Sequence, residues 1–519
     1  MASKLARGSI IIFIGNIIFR IGGYIYRFLM ATLLGPAGNG VLGITMPFQG
    51  IFQILSAGGL PPAIAKYVSE YNALDKEDMA YQTVYTALKI MVFLGILMGI
   101  LMVFFVAPWL AGYYHKPEAL LALQAVGLIT PFSVIVGAFR GAFQGVYKME
   151  YILYTRAIEQ LFMILCAVAL VMVGLSAFGA VVGSAIGFAL SALSAFIIFK
   201  KYMGKYIHKP DSSFVFTRKQ ELELAFSLVS FSIPVTVAAL AEMAIYSACT
   251  ILMGYFLSLT LIGYYTATDP IGRLPLIISS SLATTILPAV SEAHSLHNKV
   301  LLEKYVTNVY RYGMVFVVPM CVGIALYSKE IMGLVYFTNS AYMAGAPALA
   351  VLVIGMTFYS MFTISSSIVQ GIGNPRVPMY VLIFGTVITV ALGLYFIPAF
   401  GIVGAAWAIT IASIAMMIPM LIITFHITKT KAPVNFFIKI ILSSIIMGLP
   451  IILIQHIIGY TTVGLILGLI VCPIIYITFL IIFKSLEYED INAARTFSKK
   501  LGPFNQYANK ILDIIAKHI

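Results

Sequence analysis

Six ionisable side chains stand out inside the long apolar stretches of this 519-residue sequence: Arg20, Arg27, Glu159, Glu242, Asp269 and Arg273. A charge at the centre of a hydrocarbon layer costs about 2.5–3.5 kcal/mol on insertion scales, so such residues are functional candidates by default. Arg20 and Arg27 are seven residues apart and therefore project from one helix face, roughly 10 Å apart along the axis. Two guanidiniums on one stripe suit a pyrophosphate or another polyanion, because the planar fork matches phosphate oxygens bidentately. Snorkelling, or pairing of Arg20 with Glu242, is the competing structural use. Asp269 and Arg273 sit at i and i+4 and can neutralise one another; Pro270 and Pro275 beside them favour a cavity-facing position. Glu159, followed by Gln160, can be satisfied equally by Arg140 or Arg156. The hydroxyl runs Ser279–Ser281 and Ser365–Ser367 could line a polar cavity, but serines also let helices pack closely.

These charges are rare in their setting. Apolar residues make up 61% of the chain and charged ones 10%, against roughly 25% charged in soluble domains. With a mean hydropathy of +1.00, a soluble fold would expose a largely apolar surface, which monomers seldom tolerate. A cytosolic enzyme, a disordered regulator and a disulfide-stapled secreted domain are excluded; the composition is that of an all-α, multi-pass integral membrane protein. The four cysteines lie far apart inside apolar runs, with no CxxC and no His/Cys cluster at ligand spacing. Buried structural thiols are therefore expected, with no metal and no cofactor. Lys4 and Arg7 before Ser9–Phe19 mimic a signal peptide, but no small-residue cleavage site follows, so a retained first span is expected.

A spanning helix needs about 20 mostly apolar residues. Fourteen stretches qualify: 9–33, 41–60, 84–107, 119–143, 151–174, 178–199, 224–253, 261–288, 306–327, 345–370, 377–397, 402–426, 437–458 and 462–483. The second and eighth are the least clean, being interrupted by Pro47, Pro61, Pro270 and Pro275. With the amino terminus on side one, that side receives 27 of the 32 basic residues; side two receives only Lys116 and Lys329. The asymmetry places both termini in the cytoplasm and assigns the net charge of +13 to topology, not to nucleic acid.

The chain also repeats itself. Ala65-Lys66-Tyr67-Val68-Ser69-Glu70 matches Pro288-Ala289-Val290-Ser291-Glu292 at an offset of 222; Gln144-Gly145 matches Gln370-Gly371 at 226; Phe178–Gly183 matches Phe400–Gly404 near 222. Glu242 takes the position equivalent to Arg20. The expected organisation is a six-helix bundle over 1–200, a basic cytoplasmic linker over 201–223 and a second six-helix bundle over 224–426. An unpartnered helix pair over 437–483 and an amphipathic cytoplasmic tail over 484–519 complete it. Repeats of six spans share one orientation, so their pseudo-axis runs along the membrane normal, a transporter design with a midplane site. No GxxxxGK[ST] occurs, so direct ATP coupling has no local support.

Arg20-Ile-Gly-Gly-Tyr-Ile-Tyr-Arg27, Leu34-Gly35-Pro36-Ala37-Gly38-Asn39-Gly40 and Gly59-Leu60-Pro61-Pro62-Ala63-Ile64-Ala65-Lys66 with Glu70 form one run. It resembles the start of the polysaccharide transporters, in particular the stage V sporulation protein B-like branch of the multidrug/oligosaccharidyl-lipid/polysaccharide exporter superfamily. Arg140-Gly141-Ala142-Phe143-Gln144-Gly145 and Glu159-Gln160 match the same pattern, which makes Arg140, Gln144, Glu159 and Gln160 candidates for coupling or gating. The resemblance covers the first twelve spans and is most specific in the first 160 residues. It implies a plasma-membrane flippase for a polyprenyl-diphosphate-linked glycan, in contact with membrane lipids and with glycan-assembly enzymes, and leaves Na+ or H+ coupling open. Arginines on spans one and eight line a cationic cavity in lipid II flippases, and their spans 13 and 14 hold the lipid tail. Arg20 and Arg27 carry over. Pro270 replaces the span-eight arginine, with Arg273 one turn on, and Asn39-Gly40 replaces an acidic residue, which argues against lipid II itself as substrate.

Arg20, Arg27, Asp269, Arg273 and Glu242 are thus the expected substrate-binding set. A cation-coupled multidrug exporter of the same superfamily is the nearest alternative; it would favour acidic sites and twelve spans. A membrane glycan ligase or polymerase would need large outer loops or catalytic His/Asp arrangements, and the expected outer face has neither. The topology is directly checkable. Cysteines placed in the Lys200–Lys219 loop and in the Lys116 loop are expected to label from opposite sides of the membrane; labelling of both from outside would overturn the fourteen-span reading.

Overall fold

Backbone amides in hydrocarbon have no water to bond, so a chain this apolar satisfies them within helices. The computed structural model describes residues 2–205, 207, 216–485 and 495, and no strand occurs among them. Part of the basic linker and nearly all of the tail from 486 lie outside the described residues.

The helices run α1 (Ala2–Ala57), α2 (Leu60–Ala73), α3 (Glu77–Leu101), α4 (Ala107–Tyr113), α5 (Leu120–Gly145), α6 (Met149–Leu170), α7 (Ser176–Tyr202) and α8 (Arg218–Phe256). They continue as α9 (Leu259–Gly272), α10 (Pro275–Ser295), α11 (Lys299–Leu326), α12 (Ser328–Val335), α13 (Ala346–Gly371), α14 (Arg376–Thr428), α15 (Val434–Ile458) and α16 (Thr462–Ile482). Among the described residues, eleven helical stretches are long and apolar enough to cross a membrane, which makes the chain a multi-pass membrane protein. Three of them, Ile18–Ala73, Met149–Tyr202 and Arg376–Thr428, run 56, 54 and 53 residues. At a 1.5 Å rise each holds about 80 Å of helix, against a core of roughly 30 Å. Each takes in two of the spans expected from hydropathy, 9–33 only in part, and a glycine with positive φ: Gly35 (67°), Gly174 (96°) and Gly401 (60°). Pro36 follows Gly35 at the one place in a helix where a missing N–H is tolerated, just inside a new start.

The two irregular spans are broken, not merely bent. Gly58 and Gly59 take φ of 58° and 65° between α1 and α2, and a turn at Arg273–Leu274 separates α9 from α10. Prolines mark both neighbourhoods, yet at the first break it is the glycine pair that supplies the left-handed backbone.

The repeat is visible in helix endings. α2 stops with Asp75 at φ 55°, Lys76 N donating to Tyr71 O at 2.9 Å; α10 stops with His297 at φ 51°, Asn298 N donating to Ala293 O at 3.1 Å. α5 and α13 end alike, through Tyr147 (59°) and Gly373 (95°), with Lys148 N on Phe143 O and Asn374 N on Val369 O. These left-handed caps satisfy carbonyls that a helix end would otherwise leave bare. Their spacings of 222 and 226 residues are the sequence offsets.

The described residues divide into two compact units, 1–270 with 386–405, and 271–385 with 406–519. In the first, a core of Leu60, Ile64, Val68, Met91, Phe139 and Phe143 extends to Leu224 and Leu228 of α8. In the second, α15 and α16 contribute Ile440, Met447, Leu465 and Cys472 to a core with Tyr310 and Val318 of α11. Tyr476 Oη donates to Val315 O at 2.8 Å, and Gln455 Nε2 donates to Leu326 O and Glu330 Oε1, both at 2.8 Å. Cys249, Cys321 and Cys472 are buried thiols; Cys166 is half-buried.

One crossing inside the first unit is reciprocal. A Cβ added at Gly40 of α1 would overlap the Leu259 carbonyl oxygen, and one added at Gly263 of α9 would overlap the Pro36 carbonyl oxygen. Residue 259 follows 36, and 263 follows 40, by the same 223 positions, so each repeat offers the other the same glycine and the same carbonyl. Asn39 Nδ2, buried, donates to Gly263 O at 2.9 Å across the crossing. Small residues are what let membrane helices approach this closely. Gly263→Val is therefore expected to lower the thermal midpoint of detergent-solubilised protein by several degrees, since overpacking costs about 1–3 kcal/mol. Gly23→Ala, where an added Cβ meets nothing within 4 Å, should leave it unchanged or slightly higher. Equal midpoints for Gly263→Val and the parent protein would contradict the close crossing.

Candidate anion-binding site

Helix α1 is rotationally fixed by Tyr26. Its buried hydroxyl donates to Ala180 O of α7 at 3.3 Å and lies 3.3 Å from Ser184 Oγ. The next residue projects about 100° further round, and this turns Arg27 toward α9. Arg27 Nη1 donates to Asp269 Oδ2 at 3.2 Å; the arginine side chain is 41% exposed and the aspartate 16%. The pair joins residues 242 apart in sequence and is closed on the acid side, open on the base side. Arg20, two turns before Arg27 on the same stripe, is exposed.

The other expected members are arranged differently. Glu242 of α8 is exposed and forms no ion pair within 4 Å among the described residues. Arg273 lies half-buried in the α9–α10 turn. Glu159 is taken by Arg140: Nη2 donates to Glu159 Oε2 at 2.7 Å and to Ser191 Oγ at 3.2 Å, and Nε donates to Thr155 Oγ1 at 3.1 Å. Ser191 Oγ in turn donates to Thr155 O at 2.9 Å. This cluster fastens α5, α6 and α7 together, and its pair is mostly buried, at 17% and 19% exposure. Gln160 packs against α1, where a Cβ at Gly22 would sit 2.8 Å from Gln160 Cγ; its Nε2 is buried without a hydrogen-bond partner among the described residues. Gln144 is exposed at the end of α5.

Two residues gained roles that their spacing did not announce. Lys116, counted only as a rare basic residue of side two, is buried, and its Nζ donates to Gly254 O at 2.5 Å in the last turn of α8. An ammonium there complements the negative end of the helix dipole, while burial pushes its pKa below the ordinary lysine range. Lys66 Nζ lies over the rings of Tyr67 (4.7 Å) and Phe231 (5.0 Å), between α2 and α8. Long-range partners of this kind leave no local pattern in sequence.

The site offers two guanidiniums on one stripe, one exposed and one held by a single carboxylate. That arrangement can receive an anion with more than one acceptor oxygen, which would compete with Asp269 for Arg27. The Arg140 cluster, mostly buried and bonded through Nε and Nη2 to two neighbouring helices, is built for packing. Removing one partner of a buried pair costs about 3–5 kcal/mol, whereas replacing both by apolar groups can be nearly neutral. Arg140→Met alone should therefore lower thermal stability more than Arg140→Met with Glu159→Leu. A single variant as stable as the parent would deny the cluster its structural role.

Comparison with known proteins agrees with this architecture. The polysaccharide biosynthesis protein profile matches residues 5–294, and the MatE profile matches residues 234–395. A lipid II flippase of Bacillus subtilis is 22% identical over 89% of this chain and 90% of its own length. Stage V sporulation protein B of the same organism is 24% identical over 78% of this chain and 80% of its own. The solved structure of a lipid II flippase in an inward closed conformation superposes with a TM-score of 0.74 at 19% identity, covering 94% of this chain and 99% of that one. The chain belongs to the polysaccharide biosynthesis protein family, within the multidrug/oligosaccharidyl-lipid/polysaccharide exporter superfamily.

Proposed function

We propose that this protein is a flippase, and not an enzyme, that moves a polyprenyl-diphosphate-linked oligosaccharide or polysaccharide precursor from the cytoplasmic to the outer leaflet by alternating access. The observation that carries the reading is the Arg20–Arg27 stripe, with Arg20 exposed and Arg27, 41% exposed, engaged from the Asp269 side by the contact described above. A diphosphate presents the acceptor oxygens that two guanidiniums on one helix face can share. Relatives named as a lipid II flippase and as stage V sporulation protein B support the reading. Each of the three longest helical stretches holds two crossings in this account, fourteen in all, with both termini in the cytoplasm of a plasma-membrane protein. An anionic lipid moving outward gains about 2.3 kcal/mol per charge at an outside-positive potential of 100 mV, so the reading requires no cofactor and no dedicated ion site. Glycan-assembly enzymes are the partners it implies.

A second reading, a cation-coupled multidrug exporter, rests on the MatE match and on the exposed Glu242. Variants separate the two. Arg20→Ala and Arg27→Ala should each abolish glycolipid translocation at normal membrane levels, and Lys at either position should restore part of it, because a point charge replaces the fork. Glu242→Gln should leave glycolipid translocation intact. Full translocation by a well-expressed Arg20→Ala/Arg27→Ala protein would defeat the proposal. Recovery of Arg20→Ala only when Glu242→Gln is added would reduce Arg20 to a counter-ion.

A further inference from the structure

An open groove of about 850 Å³ runs between α3 and the first turns of α8, walled by Ile90, Leu222, Phe226 and Val229 with Lys219 and Glu223 at its sides. Leu222 is 64% exposed and Phe226 75%, yet both belong to α8, a helix long and apolar enough to cross a membrane. Water filling such a groove would leave its walls hydrated at full hydrophobic cost. In a bilayer the available apolar filler is an acyl chain.

The charge at the groove's end selects the headgroup. Lys89 of α3 closes on Glu221 of α8 at 2.7 Å, which removes that pair from the balance and leaves Arg218 and Lys219 against Glu223. At the same end α7 finishes with Lys200 and Lys201, and Met203 and Ile207 beyond it share a core with Leu224 and Leu228 of α8. Apolar walls ending among surplus cations match an amphiphile with one or two acyl chains and a net negative phosphate head. A zwitterionic lipid fills the same walls but gains little from the cations.

We propose that this groove binds an anionic phospholipid, its acyl chain along Leu222 and Phe226 and its phosphate beside Arg218 and Lys219. None of these residues belongs to the Arg20–Arg27 stripe, so the proposal stands whatever lipid the protein transports. A lipid seated there would brace the Lys89–Glu221 strap where α8 leaves the linker.

Native mass spectrometry of the full-length detergent-solubilised protein, titrated with dioleoyl phosphatidylglycerol, dioleoyl phosphatidylcholine or a polyprenyl diphosphate, tests this. Phosphatidylglycerol should bind more tightly than phosphatidylcholine. Arg218→Ala and Lys219→Ala should each weaken it about fivefold, in line with about 1 kcal/mol per basic residue at a membrane surface, without moving phosphatidylcholine. Ala225→Trp, which fills the groove and leaves every charge in place, should weaken both phospholipids; α8 should remain folded, as a shared melting midpoint would report. Equal affinity for the two phospholipids, or phosphatidylglycerol binding untouched by Ala225→Trp, would overturn the proposal. So would displacement of phosphatidylglycerol by the polyprenyl diphosphate in a manner that Ala225→Trp abolishes, since the groove would then serve the transported lipid.

Discussion

A charged side chain held in hydrocarbon must be answered by another group, and the way each charge here is answered separates scaffold from site. Arg140 is answered by three acceptors: Glu159, Thr155 and Ser191 accept from its Nε and Nη2 on two neighbouring helices. Arg27 is answered by the contact with Asp269 at 3.2 Å and stays 41% exposed. The first arrangement spends the Nε and Nη2 donors on packing. The second keeps part of a guanidinium exposed on the stripe it shares with Arg20.

Backbone geometry sets the contact between α1 and α9. The Gly40–Gly263 crossing brings the second half of α1 and α9 to carbonyl contact, with Asn39 bonded across it. In sequence, Gly35 breaks α1 just before the crossing, and the Arg273–Leu274 turn follows the end of α9. Lys116 fastens the far end of α8 by capping Gly254, so α8 is held at one end by a buried ammonium and at the other by the Lys89–Glu221 strap.

Much of this was legible in the sequence, for physical reasons that also mark where legibility stopped. Helical membrane character follows from composition, and the internal repeat shows because capping turns are local: Asp75 and His297, or Tyr147 and Gly373, sit at matched offsets in the text as in space. The stripe formed by Arg20 and Arg27 needed only helix periodicity. Partners across long separations were not legible. Asp269 sits four residues before Arg273, which suggested a local pair, whereas its carboxylate also accepts from Arg27, 242 residues away. Between Arg140 and Arg156 as partners for Glu159 the spacing was neutral; the fold places Arg140 at 2.7 Å, and Arg156 instead stacks on Phe19 at 5.6 Å. Prolines drew attention to the irregular spans, but the α1–α2 break is made by glycines whose φ no hydropathy pattern reports.

The central claim is that Arg27 is shared between Asp269 and a diphosphate. Equilibrium binding of a polyprenyl diphosphate and of the uncharged polyprenol to the full-length protein, with and without Asp269→Asn, tests it most directly. The account predicts that the parent protein prefers the diphosphate and that Asp269→Asn tightens diphosphate binding while leaving the polyprenol unmoved. Equal binding of the two lipids by the parent protein, or weaker diphosphate binding by a folded Asp269→Asn variant, would contradict it.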